Sequence, residues 1–172
     1  MTITNRLSLK TQTLAALAAI AGAVALPQLF HLFGSSLGET FLPMHLPIML
    51  AGLFAGPFAG AAAGILGPLC SFALSGMPGA AMLPFIVIEL FTYGLCAGLL
   101  KNAPIPTLAK ALVIQVSGRA VRAAAILSAV YLFGYQAINP AVILTSIAVG
   151  LPGILLQLCL LPLIAGYKKH DA

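Results

Sequence analysis

The sequence predicts an all-α integral membrane protein, a six-transmembrane-helix bundle with N and C termini cytoplasmic. Three observations predict it. First, 61% of the 172 residues are hydrophobic and only 6% are charged, against about 25% charged in an ordinary soluble domain. A soluble core of this size could not hide so much apolar surface, so the surplus faces lipid. Second, six apolar runs follow one another at 11–33, 40–56, 58–75, 82–100, 111–133 and 141–166. Their lengths are close to the roughly 17–25 residues that carry a helix across a bilayer. Third, in a six-span arrangement the inner segments hold Arg6, Lys10, Lys101, Lys110, Lys168 and Lys169, and the outer loops hold no Lys or Arg. That asymmetry sets orientation, because cationic residues in short loops stay in the cytoplasm. No polar stretch is long enough for a second unit, so residues 1–172 form a single transmembrane domain.

The first run follows Arg6 and Lys10. Its Ala23-Val24-Ala25 resembles a signal-peptide cleavage site, but the apolar run continues through Leu26, Leu29, Phe30, Leu32 and Phe33. Ala15, Ala19 and Ala23 are four apart and share one helix face. Small residues let a neighbouring helix approach closely. The neighbour is either this chain's own helix or another subunit, and the spacing leaves both open.

The second run opens with Leu42-Pro43-Met44-His45-Leu46-Pro47. Two prolines predict irregular backbone there, and irregular backbone at membrane depth must be buried in protein or line a cavity. His45 is therefore either a pocket residue or a satisfied structural histidine. Gly52, Gly56, Gly60 and Gly64 recur every four residues across Pro57, which predicts a tight crossing of the second and third helices. Gly94 and Gly98 in the fourth run read the same way.

Glu89, Arg119 and Arg122 fall inside the fourth and fifth runs. A charge inside a span costs at least about 2.5–3.5 kcal/mol and marks a functional hypothesis. At about 1.5 Å of rise per residue, Glu89 is about 16 Å from the inner surface, and Arg119 and Arg122 are about 14 and 18 Å deep. The three are level, and the arginines share a face. A Glu89–arginine pair bridging two helices is the expected arrangement. One carboxylate does not neutralise two guanidiniums, so the surplus positive charge points to a polar cavity and favours an acidic ligand. The alternative is a purely structural pair, with the second arginine reaching the cytoplasmic side.

The net charge of +5 is scattered over the ends and one loop, which excludes a nucleic-acid-binding face. Cys70, Cys96 and Cys159 stand alone in separate apolar runs, so no metal site or disulfide framework is expected. No cofactor motif, catalytic set or P-loop occurs. If ATP powers this protein, another chain hydrolyses it.

Several strings together resemble the substrate-binding S component of an energy-coupling factor (ECF) transporter. They are the small-residue first helix, Pro43–Pro47, the AGLFAGPFAG run at Ala51–Gly60, Ser75-Gly76-Met77-Pro78, Glu89-Leu90-Phe91-Thr92-Tyr93-Gly94 and Gly118-Arg119. The likeness runs from about Thr11 to Gly166. It implies a multi-pass subunit of a bacterial-type plasma membrane that captures a vitamin or related micronutrient from outside. It implies a pocket drawing on His45, Met77, Met82, Glu89, Tyr93 and Asn139, with Arg119 and Arg122 reaching it from below or holding their helices together. It implies two kinds of partner, a transmembrane coupling subunit and two cytosolic ATPase subunits, with docking through the Ala15, Ala19, Ala23 face. Trp is absent, which speaks against a flat heteroaromatic solute. Two other readings compete. One is a small intramembrane enzyme using His45 and Glu89 as an acid–base pair, which requires the two side chains within about 3 Å or one water apart. The other is a ligand-free structural membrane protein, which requires a filled interior.

Overall fold

The structure is a computed structural model that describes residues 8–34 and 37–170, apart from the side chains of 31 and 166–170. Arg6 and Asp171 lie outside the described residues, as do the side chains of Lys168 and Lys169. Every regular element among the described residues is a helix. In chain order they are α1 Leu9–Phe33, α2 Leu37–Phe41, α3 His45–Ala55, α4 Pro57–Ser75, α5 Leu83–Leu99, α6 Thr107–Phe133, α7 Val142–Val149 and α8 Leu151–His170.

Each expected run appears as a helix or a broken helix. Leu9–Phe30, Leu37–Ala55, Pro57–Ser75 and Thr107–Phe133 are each long and apolar enough to cross a membrane. The pair α7 and α8 forms a fifth candidate, bent by 56°. The bend falls at Gly150, with Pro152 in the first turn of α8, inside the run expected as one span over 141–166. At 17 residues, α5 is shorter. The outward faces fit lipid: Leu14, Leu17, Leu74, Val116, Leu132, Leu144 and Leu163 are all more than half exposed. On a soluble protein such a belt would be an aggregation surface.

The second run breaks over a shorter stretch than expected. The irregular backbone is confined to Leu42–Met44, and Leu42 has a φ of 49°. Pro47 falls in the first turn of α3, where its missing N–H costs nothing. Gly56, with a φ of 107°, makes the one-residue turn into α4. A side chain would be strained there.

The glycine repeat brings α3 and α4 together as expected, with Gly60 against Gly52, and it also admits α5. A Cβ at Gly60 or Gly94 would overlap the other's backbone, one at Gly64 would strike Leu90, and one at Gly52 would strike Gly94 and Ala97. The repeat on α3 and α4 thus receives α5, and backbones meet without intervening side chains. Four-residue spacing identifies a small face but not what fills it.

Contacts along these helices fix their directions. Gly98 meets Pro57 and Gly64 meets Leu90, so α4 and α5 run antiparallel. Glu89 meets Arg122 and Tyr93 meets Gly118, so α5 and α6 do too. Gln115 meets Gln157, and Leu161 shares a core with Ala111 and Ile114. The start of α1 and the end of α8 therefore share one end of the bundle. The α2–α3 break, the α4–α5 loop and α7 gather at the other.

The small face of α1 is consumed internally. Ala19 and Ala23 are 6% and 0% exposed, within the core that holds Ile48, Ala63 and Leu90. A Cβ on Gly67 would meet the Ala23 methyl. Ala15 is half-buried beside Ala16, Ala55 and Ala59. Of the two neighbours the spacing left open, α3 and α4 of the same chain cover Ala19 and Ala23, and Ala15 remains half-buried.

Candidate functional site

The charged cluster begins with α5. Successive helical turns place Glu89 and Tyr93 on one face, and both side chains are fully buried. Tyr93 lies flat against Gly118 of α6, where a Cβ would overlap its ring. Antiparallel pairing then brings the arginines of α6 to the carboxylate. Arg122 Nη1 donates to Glu89 Oε2 at 3.0 Å, and Arg119 Nη1 stands 3.9 Å from Oε1. The depths read from sequence therefore correspond to a real adjacency, and Glu89 engages one arginine closely and the other loosely.

Glu89 Oε1 accepts a hydrogen bond from the Tyr93 hydroxyl at 2.9 Å. The Tyr93 hydroxyl also lies 3.3 Å from Gln115 Oε1. It has one proton for two acceptors, and the shorter bond goes to the carboxylate. Gln115 Nε2 donates to Gln157 Oε1 on α8, and Gln157 Nε2 donates to the Leu42 carbonyl at 3.1 Å. Both glutamines are buried, 4% and 2% exposed. A continuous polar strap thus runs from the charge cluster to the α2–α3 break. The carbonyl at its end fixes the orientation of both amides, because reversing either would set two acceptors face to face.

A cavity of about 440 Å³ lies beside the cluster, within the roughly 300–1,000 Å³ usual for small-molecule sites. It is at the end of the bundle away from the described termini. Pro27 of α1, the α2–α3 break, Ser71 of α4 and α7 form its walls. Met77 and Met82 line it from the α4–α5 loop, and His45 and Arg122 reach it from α3 and α6. Glu39, exposed on α2, also contributes to the wall. A smaller cleft of about 10 Å³ next to it is lined by Arg119, Arg122 and Ser146. Because Arg122 and Ser146 border both spaces, Arg119 stands one side chain behind the main cavity.

Several buried polar atoms here have no hydrogen-bond partner: Nδ1 and Nε2 of His45, Oγ of Ser71, Nε and Nη2 of Arg119, and Nε of Arg122. Unpaired buried polar groups are costly, and their concentration around one cavity is the signature of a site that awaits a ligand or ordered water.

Of the residues expected in the pocket, the structure brings His45, Met77, Met82 and Arg122 to the cavity wall. Glu89, Tyr93 and Arg119 lie just behind it, linked through Arg122 and the strap. Asn139 is elsewhere: it is exposed, and its Oδ1 accepts from the Ala141 N–H at 2.9 Å at the start of α7. That is a local turn, and it corrects the placement of Asn139 in the pocket. His45 Nε2 and Glu89 Oε1 are 4.0 Å apart, too far for a direct hydrogen bond. Of the two arrangements the enzyme reading allows, direct contact or one water between, direct contact is not formed. Ser71, Gln115 and Gln157 were not singled out from sequence. A lone polar residue inside an apolar run was the available signal for each.

The family model described as ECF transporter, substrate-specific component, matches residues 13–165 of this chain. Comparison with curated proteins and with solved structures gives no match.

Proposed function

This chain belongs to the family of ECF transporter substrate-specific components, and we propose that it captures a vitamin or related micronutrient outside the cell for import. Membership makes it a multi-pass membrane subunit of a transporter that works with a coupling component and an ATPase module. Our reading adds six crossings with α5 as the short one, both termini in the cytoplasm, and a bacterial-type plasma membrane. The cavity then opens outward. A transmembrane coupling subunit and two cytosolic ATPases complete the importer.

The observation that carries this reading is the cavity of about 440 Å³ bordered by unpartnered His45, Ser71 and Arg122 groups. A ligand-free structural role requires a filled interior, and this interior is hollow. In the proposed site Met77 and Met82 pack on the body of the solute, and His45 and Arg122 contact its polar groups. Glu89, Tyr93 and Arg119 hold Arg122 in place.

The test is to purify the full chain in mild detergent from cells grown in rich medium, denature it, and identify released small molecules by mass spectrometry. One vitamin-sized compound near equimolar amount is the expected result. A protein that releases none, and that is stabilised by no member of a micronutrient panel, contradicts the proposal.

A further inference from the structure

The proposed function leaves the chemistry of the solute open, and the charge balance around the cavity narrows it. Among the described residues, Glu89 is the one carboxylate in contact with two guanidiniums, and it is fully buried. Its oxygens are already occupied by Arg122 and by the Tyr93 hydroxyl. After this pairing one positive charge is left over, held on side chains that are themselves only 9% and 13% exposed. Arg122 Nε and Arg119 Nε and Nη2 are the donors that carry it without a partner. An uncompensated guanidinium in so dry a setting calls for an anion.

A second observation comes from other helices. Ser71 Oγ on α4 and both ring nitrogens of His45 on α3 line the same cavity, buried and without hydrogen bonds. Arg122, His45 and Ser71 thus bring hydrogen-bonding groups to one cavity from three helices. Pro27, Met77, Met82 and Ile86 make most of the remaining wall apolar, and Glu39, Thr145 and Ser146 add polar groups on the α2 and α7 sides.

Resting on the solute-capture reading, we propose that the solute is a monocarboxylate with a compact, mainly apolar body, its carboxylate held by Arg122 with Ser71 and His45. The planar, two-oxygen form of a carboxylate matches the fork of a guanidinium. A single surplus charge matches one negative charge and not two, which separates a carboxylate from a phosphate monoester. Glu39, the carboxylate on the α2 wall of the cavity, disfavours a second anionic group on that side.

Matched pairs of vitamins test this, each offered as an acid and as its neutral counterpart: nicotinate and nicotinamide, biotin and biotinamide, pantothenate and pantothenol. Pyridoxal 5′-phosphate supplies the dianion. Binding to the purified full chain is measured by thermal shift and titration calorimetry. The expected result is that an acid binds tenfold or more tighter than its neutral partner, the loss of one charge-assisted contact. The dianion does not bind. In Arg122→Gln, checked for folding by size-exclusion chromatography, the preference for the acid disappears. Should Arg122→Gln not fold, Ser71→Ala is used in its place, with a several-fold loss for the acid and little change for the amide. If neutral members or the phosphate bind as tightly as the acids, the carboxylate proposal falls while solute capture stands. If no acid binds, the carboxylate proposal falls, and solute capture falls with it where the purified protein also releases no compound.

Discussion

Arg122 Nη1 and Glu89 Oε2 stand 3.0 Å apart on facing helices, and neither side chain is more than 9% exposed. The same arginine forms part of the cavity wall. The pair that ties α5 to α6 therefore also presents the cavity with a cation.

Removing the carboxylate leaves two guanidiniums facing each other without compensation. Glu89→Ala is expected to destabilise the chain by about 3–5 kcal/mol, the usual cost of leaving a buried charge unpaired. Glu89→Gln keeps the shape and a Tyr93 contact and loses less. Thermal unfolding of the purified variants in one detergent checks the order.

The backbone contact between α4 and α5 makes a separate prediction. Gly94→Ala drives a methyl into the Gly60 carbonyl and should cost about 1–3 kcal/mol or more, as overpacking does. Gly79→Ala is the control, because open space surrounds that position. Unfolding midpoints should fall for the first and hold for the second.

The strap from Gln157 to Leu42 predicts an effect at a distance. Gln157→Leu leaves the Gln115 amide nitrogen unpaired, at about 1–3 kcal/mol for a buried group, and leaves the Leu42 carbonyl with the His45 backbone N–H as its one remaining donor. Hydrogen exchange should rise over Leu37–Met44, the segment that walls the cavity. Protection there equal to wild type would show that the strap does not hold the α2–α3 break.

Packing of the α1 small face predicts where Ala23→Leu acts. Ala23 is fully buried against Gly67, so the larger side chain should destabilise the isolated chain by about 1–3 kcal/mol. A residue used solely for docking would leave the isolated chain's unfolding midpoint unchanged.

Much of this architecture was legible beforehand, for identifiable reasons. Hydrophobic length locates helices because the bilayer has a fixed thickness, and the fixed helical rise put Glu89 level with Arg119 and Arg122. What sequence spacing does not carry is the identity of a neighbour. The glycines at 52, 60 and 64 and the alanines at 19 and 23 announce close approach equally well for any partner: Gly60 meets Gly52 as expected, but α5 fills the same face, and the alanines pack on α3 and α4, one of the two neighbours left open. Gln115 and Gln157 escaped notice because an uncharged amide weakly perturbs an apolar run, although in pairs they build the strap. Leu42 gives no hint of its positive φ, since leucine is not a turn residue. The bend at Gly150 was readable from Gly150 and Pro152 together.

The central claim is that a solute occupies the cavity beside Arg122. Its most direct measurement is a calorimetric titration of the wild-type chain and of Met82→Trp, whose larger ring intrudes into the cavity, with the compound released from the purified protein. The account predicts one-to-one binding by the wild type and none by Met82→Trp, at equal unfolding midpoints without ligand. Equal affinity in the two proteins would contradict it.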